Sequence, residues 1–205
     1  MGRAFLFMGL GAGYYFFVRP QLLKAGTRLG ESQRRLPGDD LIAEPNFQMT
    51  RAMDIDAPPE AVWPWIAQMG RERSGFYGLD NLSNQGIPSI AYLRQDLPVP
   101  QPGMALDEGY RIFDLEPNRF LLYGSFDLPT PIGSPAERTT LIQLERRRDG
   151  GTRLLVRTRG YTYGALGPLY NLVQEVVDFF DTTAQLDNIR QRAETMAYLR
   201  APTAS

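Results

Sequence analysis

The chain has 205 residues, of which 43% are hydrophobic and 22% are charged, and its formal net charge is −1. This length accommodates one well-packed domain with appendages, and the even charge balance argues against nucleic acid as a partner. Cysteine and histidine are both absent, which excludes disulfides, metal sites built from thiolate or imidazole, and Ser-His-Asp or Cys-His catalysis. Catalysis would have to use carboxylates, tyrosines, lysine, arginine or backbone groups.

An apolar segment at residues 1–18 is predicted to form an anchor helix. Its core is the fifteen-residue run AFLFMGLGAGYYFFV from Ala4 to Val18, with an arginine on either side. The run is slightly shorter than the roughly 17 residues that a membrane-spanning helix needs at minimum. Its basic and aromatic flanks, with Tyr14 and Tyr15 near an interface, favour a membrane anchor. A cleaved signal peptide and a helix packed on the domain or on a partner are the alternatives.

Small residues inside this segment suggest a helix-packing role. Gly9 and Gly13 form a GxxxG pair, which would let a partner helix of a membrane assembly approach closely. More basic residues follow the segment than precede it, which predicts a membrane-associated protein whose bulk is cytoplasmic. Residues 19–46 contain two turn clusters and are interpreted as a connector.

The folded domain is predicted to span residues 47–198, followed by a tail at 199–205. The stretch FQMTRAMDID, beginning at Phe47, alternates as a half-buried strand does. A helix is predicted from Pro59 to Gly70, because proline suits a first helical turn and glycine a helix end. An irregular region rich in proline and glycine then runs to Gly109.

Four further strands and one long helix complete the predicted domain. The strand candidates are Tyr110–Leu115, Arg119–Phe126, Thr139–Arg147 and Thr152–Tyr161, joined by hairpin-type turns that favour antiparallel pairing. From Pro168 to about Tyr198 the spacing predicts an amphipathic helix, with its apolar face at Leu169, Val173, Val176, Val177, Phe180, Ala184 and Leu186. The class is therefore α+β, with that apolar face against a curved antiparallel sheet and a cavity between them.

Two adjacent stretches carry a family resemblance. IDAPPEAVWPWIAQMG (Ile55 to Gly70) and RERSGFYGLDNL (Arg71 to Leu82) resemble the START-like superfamily, also called SRPBCC or polyketide cyclase/dehydrase-like. FDLEPNRFLLY and GTRLLVRT are similar to its later strands. The resemblance covers about Phe47 to Glu194. It implies a helix-grip fold with a hydrophobic tunnel, an apolar small-molecule, polyketide or lipid ligand, and no cofactor.

Candidate ligand-binding residues come from the loop, the strands and the helix. Loops on rigid scaffolds often carry sites, so Phe76, Tyr77 and Asp80 are candidates for a wall or gate at the cavity mouth, with ordinary loop packing as the alternative. Inward tyrosines would supply polar groups to an apolar pocket. The complete predicted ligand-binding set is Phe76, Tyr77, Asp80, Tyr110, Tyr123, Arg159, Tyr161, Val177 and Phe180.

Charged residues of the last strand and helix are predicted to be solvated. Arg157 and Arg159 alternate with apolar or neutral neighbours, so both are expected to face solvent, and a buried arginine would need Asp178 or Asp181 as a partner. Glu175, Asp178 and Asp181 are spaced three apart and share a helix face. A solvated face is expected there, with a metal site or an acid/base pair as the alternative.

Three functions remain open on the sequence. The leading hypothesis is membrane-tethered binding or transfer of an apolar small molecule or lipid. The second is a cyclase or dehydratase type of enzyme, which requires convergent polar groups with perturbed pKa values in the cavity. The third is a structural subunit that docks into a membrane assembly through Gly9 and Gly13.

Overall fold

The computed structural model describes residues 13–200, which form an antiparallel sheet, a long C-terminal helix and shorter helices. The strands are β1 (Phe47–Ile55), β2 (Arg111–Glu116), β3 (Phe120–Leu128), β4 (Ala136–Arg146) and β5 (Thr152–Thr162). A π-helical turn (Tyr14–Val18) leads into α1 (Arg19–Leu23), and the later helices are α2 (Pro59–Ala67), α3 (Asp80–Ser83) and α4 (Gly167–Arg200).

The sheet has the order β1-β5-β4-β3-β2, and every neighbouring pair is antiparallel. Two tight turns make the hairpins possible. Asn118, between β2 and β3, has a φ of 63°, and Gly150, between β4 and β5, has a φ of 89°. Asparagine and glycine are the residues that tolerate this left-handed backbone best. The predicted strands, their antiparallel pairing and the curved sheet with a C-terminal helix are confirmed.

The apolar core lies between the inner face of the sheet, α2 and the C-terminal half of α4. Ile142 of β4 and Leu154 of β5 are completely buried there, as are Val62 of α2 and Ile189 of α4. Burial of a side chain of this size stabilises a fold by about 1.5–3 kcal/mol. This half of α4 is therefore fastened to the sheet by packing.

The N-terminal half of α4 is oriented differently from the prediction. Leu169, Val173, Val176 and Phe180, which were expected to pack on the sheet, are exposed. Apart from Val177, the residues that this half of the helix turns inward are polar, and they include Asn171, Glu175, Asp178 and Thr182. The prediction that Glu175, Asp178 and Asp181 form a solvated face was also wrong. Hydrophobic periodicity locates the two sides of a helix, but it does not tell which side faces a polar cavity.

The outer face of the sheet is covered by residues 26–43. Arg157 of β5 is only 3% exposed, and it donates hydrogen bonds to the backbone carbonyls of Glu31, Ser32 and Arg34. Arg159 donates to the carbonyls of Ile42 and Ala43. Both arginines were expected to face solvent, and that expectation was wrong because the preceding segment folds back over β5.

A third arginine of β5 fastens the same segment. Arg153 forms an ion pair with Glu31 at 2.6 Å and donates a hydrogen bond to the Gly26 carbonyl at 2.7 Å. The hydrogen bond from Arg153 lowers the pKa of the Glu31 carboxyl. Residues 19–46, interpreted from the sequence as a connector, thus pack on the domain.

The described part of the N-terminal segment lies beside α4. Arg19 donates two hydrogen bonds to the buried carboxylate of Glu175, at 2.6 and 2.7 Å. Tyr14 is half-buried, Tyr15 is exposed against the Arg19 guanidinium, and Gly13 has open space around its Cα.

The predicted membrane anchor lies largely outside the described residues. Gly9 and most of the run from Ala4 to Val18 fall there, so the predicted anchor and the predicted helix partner stay predictions. Within residues 13–200, no helix combines the length and the apolar character needed to cross a bilayer.

Candidate functional site

A cavity of about 220 Å³ lies between the inner face of the sheet and the N-terminal half of α4. Strands β1, β3, β4 and β5 form its floor, α4 forms one wall, and the loops after α2 and before β2 form the rim. Its lining consists of Met49, Arg71, Phe76, Leu82, Ser83, Asp107, Tyr110, Tyr123, Arg138, Thr140, Val156, Thr158, Gln174, Val177, Asp178, Asp181, Thr182 and Gln185.

Strand register places a row of side chains across the cavity floor. Tyr123 of β3 lies opposite Thr140 of β4, Thr140 opposite Thr158 of β5, and Thr158 opposite Met49 of β1. Opposed residues of an antiparallel sheet point to the same face. The two threonine hydroxyls are 3.3 Å apart. The floor therefore offers three hydroxyl groups in one line.

Arg138 and Asp178 form an ion pair between the floor and the helical wall. Arg138 is two residues before Thr140 on β4, so its side chain also points inward, and its Nη1 is 3.2 Å from Asp178 Oδ2. Gln174 donates a hydrogen bond to Asp178 Oδ1. Asp178 Oδ2 is buried and accepts no hydrogen bond among the residues that the structure describes. The pair therefore retains an acceptor that a bound molecule could use.

Neighbouring groups keep Arg138 charged. Burial opposes its charge, but Asp178 and the phenols of Tyr110 and Tyr170 raise the pKa of the guanidinium above its ordinary value. The Arg138 guanidinium also lies 5.2 Å from the centre of the Phe47 ring, within the range of a cation–π contact. A permanent positive charge therefore faces the cavity.

A second ion pair lies at the rim. Arg71, in the loop after α2, is 3.2 Å from Asp107. The other oxygen of Asp107 accepts hydrogen bonds from the backbone N–H groups of Gly109 and Tyr110, both at 2.9 Å. Asp107 thus fixes the backbone from which the Tyr110 side chain enters the cavity.

Three aromatic rings form one side of the cavity. The Tyr123 ring centre is 5.9 Å from that of Tyr110 and 6.3 Å from that of Phe76, which are separations typical of interacting aromatic pairs. Burial raises the pKa of both tyrosine hydroxyls. The two phenols consequently remain protonated at neutral pH and can donate hydrogen bonds to a ligand oxygen.

Asp181 connects the helical wall to the rim loop. Its Oδ1 accepts hydrogen bonds from the backbone N–H of Leu79 at 2.7 Å and from the Ser83 hydroxyl at 3.0 Å. Burial raises the pKa of the Asp181 carboxyl, and the negative charges of Asp178 and Asp80 add to this effect. A carboxyl group with a raised pKa is better able to exchange a proton near neutral pH.

The loop of residues 75–84 is held against α4 by hydrogen bonds. Gln185 donates to the Phe76 carbonyl at 2.7 Å, and Asn188 donates to the Tyr77 carbonyl at 2.9 Å. Tyr77 has a φ of 62°, which is unusual for a residue with a side chain. At Gly78, a Cβ would lie 2.3 Å from Asp181 Oδ1, so only glycine fits there. The cavity wall is thus built from specific contacts.

The structure brings some of the predicted site residues together and separates others. Phe76, Tyr110, Tyr123 and Val177 line the cavity. Tyr77 is fully buried behind the loop, where its hydroxyl accepts a hydrogen bond from Gln68. The remaining predicted residues, Asp80, Arg159, Tyr161 and Phe180, do not line it.

Each of these four residues has another environment. The Asp80 carboxylate accepts hydrogen bonds from Asn84 and Ser89 inside the loop. Arg159 is on the opposite face of the sheet, and Tyr161 and Phe180 are exposed to solvent. Their positions follow from strand alternation for Arg159 and from the orientation of α4 for Phe180.

Sequence reasoning missed most of the charged groups in the cavity. Arg138 lies two residues before Thr140 on β4, so both side chains point to the same face of the sheet. The sequence did not tell which face of β4 is the inner one. Asp178 and Asp181 were predicted to lie on a solvated face, with a partner for a buried arginine, a metal site or an acid/base pair as the alternatives. The missed lining residues with polar function are Arg71, Asp107, Arg138, Asp178, Asp181 and Gln185. Within residues 13–200, no group of three or more carboxylates is arranged to hold a metal ion.

The sheet order, the C-terminal helix and the cavity between them define a helix-grip fold of the START-like, SRPBCC or polyketide cyclase-like, type. The resemblance stated from the sequence is thereby confirmed at the level of the fold. No family model matches the chain, and no curated protein matches it.

Similar solved structures come from several bacteria. Hypothetical protein jhp0584 from Helicobacter pylori is 10% identical, with a TM-score of 0.53 over 82% of this chain and 99% of that one. The Zhui aromatase/cyclase from Streptomyces sp. R1128 is 16% identical, with a TM-score of 0.46 over 77% of this chain and 98% of that one. Protein NE0264 from Nitrosomonas europaea is 17% identical, with a TM-score of 0.47 over 73% and 96%. The similarity to the Helicobacter pylori structure, at 10% identity, supports the fold alone.

Proposed function

We propose that the chain binds a small organic molecule with a ring and at least one oxygen-bearing group in the cavity between the sheet and α4. The observation that carries this proposal is the ion pair of Arg138 and Asp178, which faces the cavity beside the Tyr110 phenol. Buried polar groups are costly unless they are hydrogen-bonded. A ligand with matching polar groups would donate a hydrogen bond to Asp178 Oδ2, which lies 3.2 Å from the Arg138 guanidinium but accepts no hydrogen bond within the described chain.

The size of the cavity limits the ligand. Pockets for drug-sized molecules typically measure about 300–1,000 Å³, whereas this cavity measures about 220 Å³. The polar lining and this volume favour a compact, oxygen-bearing molecule over the apolar small molecule or lipid that the sequence predicts. The rings of Phe76, Tyr110 and Tyr123 supply an apolar side against which a flat ring can pack.

Two valines of α4 allow a matched test. Val177 lines the cavity, whereas Val173, one helical turn earlier, is exposed on the outside of the helix. Replacement of Val177 by tryptophan should fill the cavity, and the same replacement of Val173 should leave it open. Native mass spectrometry of the purified full chain would then detect a bound small molecule in the wild type and in Val173→Trp, but not in Val177→Trp.

The polar contact is tested separately. Arg138→Met keeps much of the side-chain volume but removes the charge and the hydrogen-bond donors, so ligand retention should fall. Arg111→Met changes an exposed arginine outside the cavity and should have no effect. Equal retention by wild type, Val177→Trp and Arg138→Met would overturn the proposal.

Proton-transfer chemistry is a second candidate function. The specific observation in its favour is that Asp181, whose pKa is raised by burial, shares the cavity with the Arg138 charge and two protonated phenols. In this scheme Asp181 exchanges a proton with a carbonyl-containing, polyketide-like substrate while Arg138 and Tyr110 stabilise the negative charge that develops on its oxygen.

The conservative variant Asp181→Asn distinguishes the two candidates. Asparagine keeps the oxygen that accepts the Leu79 hydrogen bond but cannot exchange a proton. Incubation of the protein with a small 1,5-diketone, followed by chromatography, should show the cyclic enone formed by intramolecular aldol addition and loss of one water with the wild type only. Binding without product in both proteins would leave the binding function and exclude this chemistry for that substrate.

A further inference from the structure

We propose that the outer face of the first half of α4 lies on a lipid bilayer together with the side chains of the N-terminal turn. This apolar stripe consists of Leu169, Val173, Val176 and Phe180, which are between 36% and 62% exposed. Their spacing of four, three and four residues places them on one side of the helix. An exposed apolar surface of this kind is typical of a site of contact with a membrane or a protein.

The stripe is set apart from the rest of the surface by its lack of charge. From Tyr161 to Leu186, a range that the structure describes completely, the only charged side chains are Glu175, Asp178 and Asp181. Glu175 is buried, and the two aspartates line the cavity. The outward surface of this region therefore presents no exposed charge, so insertion among lipid chains would not require desolvation of an ion.

The N-terminal turn adds apolar side chains beside the same helix. Arg19 is fastened to Glu175 by two hydrogen bonds, which holds the turn Tyr14–Val18 next to the middle of the stripe-bearing half of α4. Phe16 and Phe17 are 69% and 78% exposed. The uncharged fifteen-residue run thus ends beside the stripe, and a bilayer would accommodate both surfaces at once.

Aromatic residues near the start of α4 fit the same partner. Tyr161 and Tyr163 are exposed, with ring centres 4.9 Å apart, just before the helix begins. Tyrosine is enriched at the boundary between the hydrocarbon and the water of a membrane, because its ring is apolar and its hydroxyl is polar. The aliphatic stripe would then lie deeper than these two rings.

Membrane contact through the stripe would bring the cavity close to the bilayer. Val177 is adjacent to Val173, Val176 and Phe180 on the helix surface, and it also lines the cavity. A ligand dissolved in the membrane would reach the cavity past this residue. This consequence rests on the proposed ligand-binding function, whereas the contact surface itself does not.

The absence of native cysteine permits a site-specific probe. A cysteine introduced at an exposed position of the full chain can be labelled uniquely with the environment-sensitive dye NBD. Val176→Cys places the dye on the stripe, and Arg148→Cys places it on the exposed β4–β5 turn, at the other end of the sheet. With phosphatidylcholine vesicles, we expect a several-fold rise in fluorescence and quenching by spin-labelled lipid at position 176, and no change at position 148.

Each alternative gives a different result. If only the N-terminal segment enters the membrane, the protein will float with the vesicles while the dye at position 176 remains unchanged. If a second copy of the chain covers the stripe, the signal at position 176 will rise with protein concentration in the absence of vesicles. Either result, or an absence of vesicle binding, overturns the proposal.

A surface variant supports the probe experiment. Val176→Gln combined with Phe180→Gln changes only exposed side chains, so the fold should be retained, and flotation with the vesicles should fall several-fold. Because the surface is uncharged, flotation of the wild type should be insensitive to added salt. Unchanged flotation of the double variant would contradict the proposal.

Discussion

Substitution of Arg157 by alanine should destabilise the fold strongly, although the sequence alone presents this residue as a surface arginine. Its guanidinium donates to the Thr50 hydroxyl at 3.0 Å, to Asp39 at 2.7 Å and to three backbone carbonyls of residues 31–34. Alanine would leave the Asp39 carboxylate and the three carbonyls without these donors in a buried place.

The expected magnitude follows from these contacts. Removal of one partner from a buried ion pair costs roughly 3–5 kcal/mol, because the remaining charge is left uncompensated. Asp39 is 13% exposed and keeps the hydrogen bond from the Leu36 N–H, which reduces the loss. We therefore expect Arg157→Ala to lower the free energy of unfolding by about 3 kcal/mol, which is a large part of the ~5–15 kcal/mol of a typical domain.

Urea unfolding followed by tryptophan fluorescence measures this difference directly. Arg148→Ala, which truncates an exposed arginine, is the matched control and should change the free energy by less than about 0.5 kcal/mol. Arg157→Lys should be intermediate, since an ammonium group keeps the charge but cannot serve five acceptors.

Limited proteolysis supplies a second measurement of the same contact. Trypsin should cleave after Arg34 and Arg35 faster in Arg157→Ala than in the wild type, because the covering segment is released. Equal stability of Arg157→Ala and Arg148→Ala, together with unchanged cleavage, would refute the view that arginines of β5 fasten residues 26–43 to the sheet.

Three further predictions concern pH and packing. The Arg153 hydrogen bond holds the pKa of Glu31 below its usual value of 4.5. Their contact therefore stabilises the fold above pH 4.5, and this stabilisation is lost as the pH falls through the lower folded-state pKa. Urea titrations at decreasing pH should show this loss of stability, and the loss should be smaller in Glu31→Gln. Burial raises the pKa of Asp181 above 3.8, so the stability contributed by this group is present at low pH and lost as the pH rises through its folded-state pKa. Asp181→Asn should remove this pH dependence and should be at least as stable as the wild type at neutral pH. A marked loss of stability in this variant would contradict the prediction. Ile189→Ala, in the core, should cost about 3 kcal/mol, whereas Val173→Ala, on the exposed stripe, should cost less than about 0.5 kcal/mol; similar costs for both, measured by urea unfolding, would be evidence against the orientation of α4.

The sheet was predictable because its signals are local. Alternation with a period of two residues marks a strand, and Asn118 and Gly150 stand where a left-handed backbone is required between strands. These features depend on residues that are close in sequence. They gave the antiparallel hairpins and, with the long C-terminal helix, the fold class.

The candidate site was less predictable because it depends on contacts between distant residues. Arg138 and Asp178 are forty residues apart in sequence, and their pairing follows only from the packing of α4 across β4. Likewise, Arg157 is buried because residues 26–43 cover β5, and no pattern within β5 itself shows that a cover exists. Alternation tells which residues of a strand share a face, but it does not tell what that face contacts.

The two halves of α4 carry their apolar residues on opposite sides of the helix. This arrangement accounts for both the cavity and the proposed membrane-contact surface. Phe180 belongs to the exposed stripe and Ile189 to the core, and they are nine residues apart, which is about two and a half helical turns. Their side chains therefore point to opposite sides of one continuous helix. Because the C-terminal half must bury Ile189 against the sheet, the N-terminal half has to turn Asp178 toward the sheet and Phe180 away from it. The same orientation of the helix that creates a polar cavity thus also creates the exposed apolar stripe.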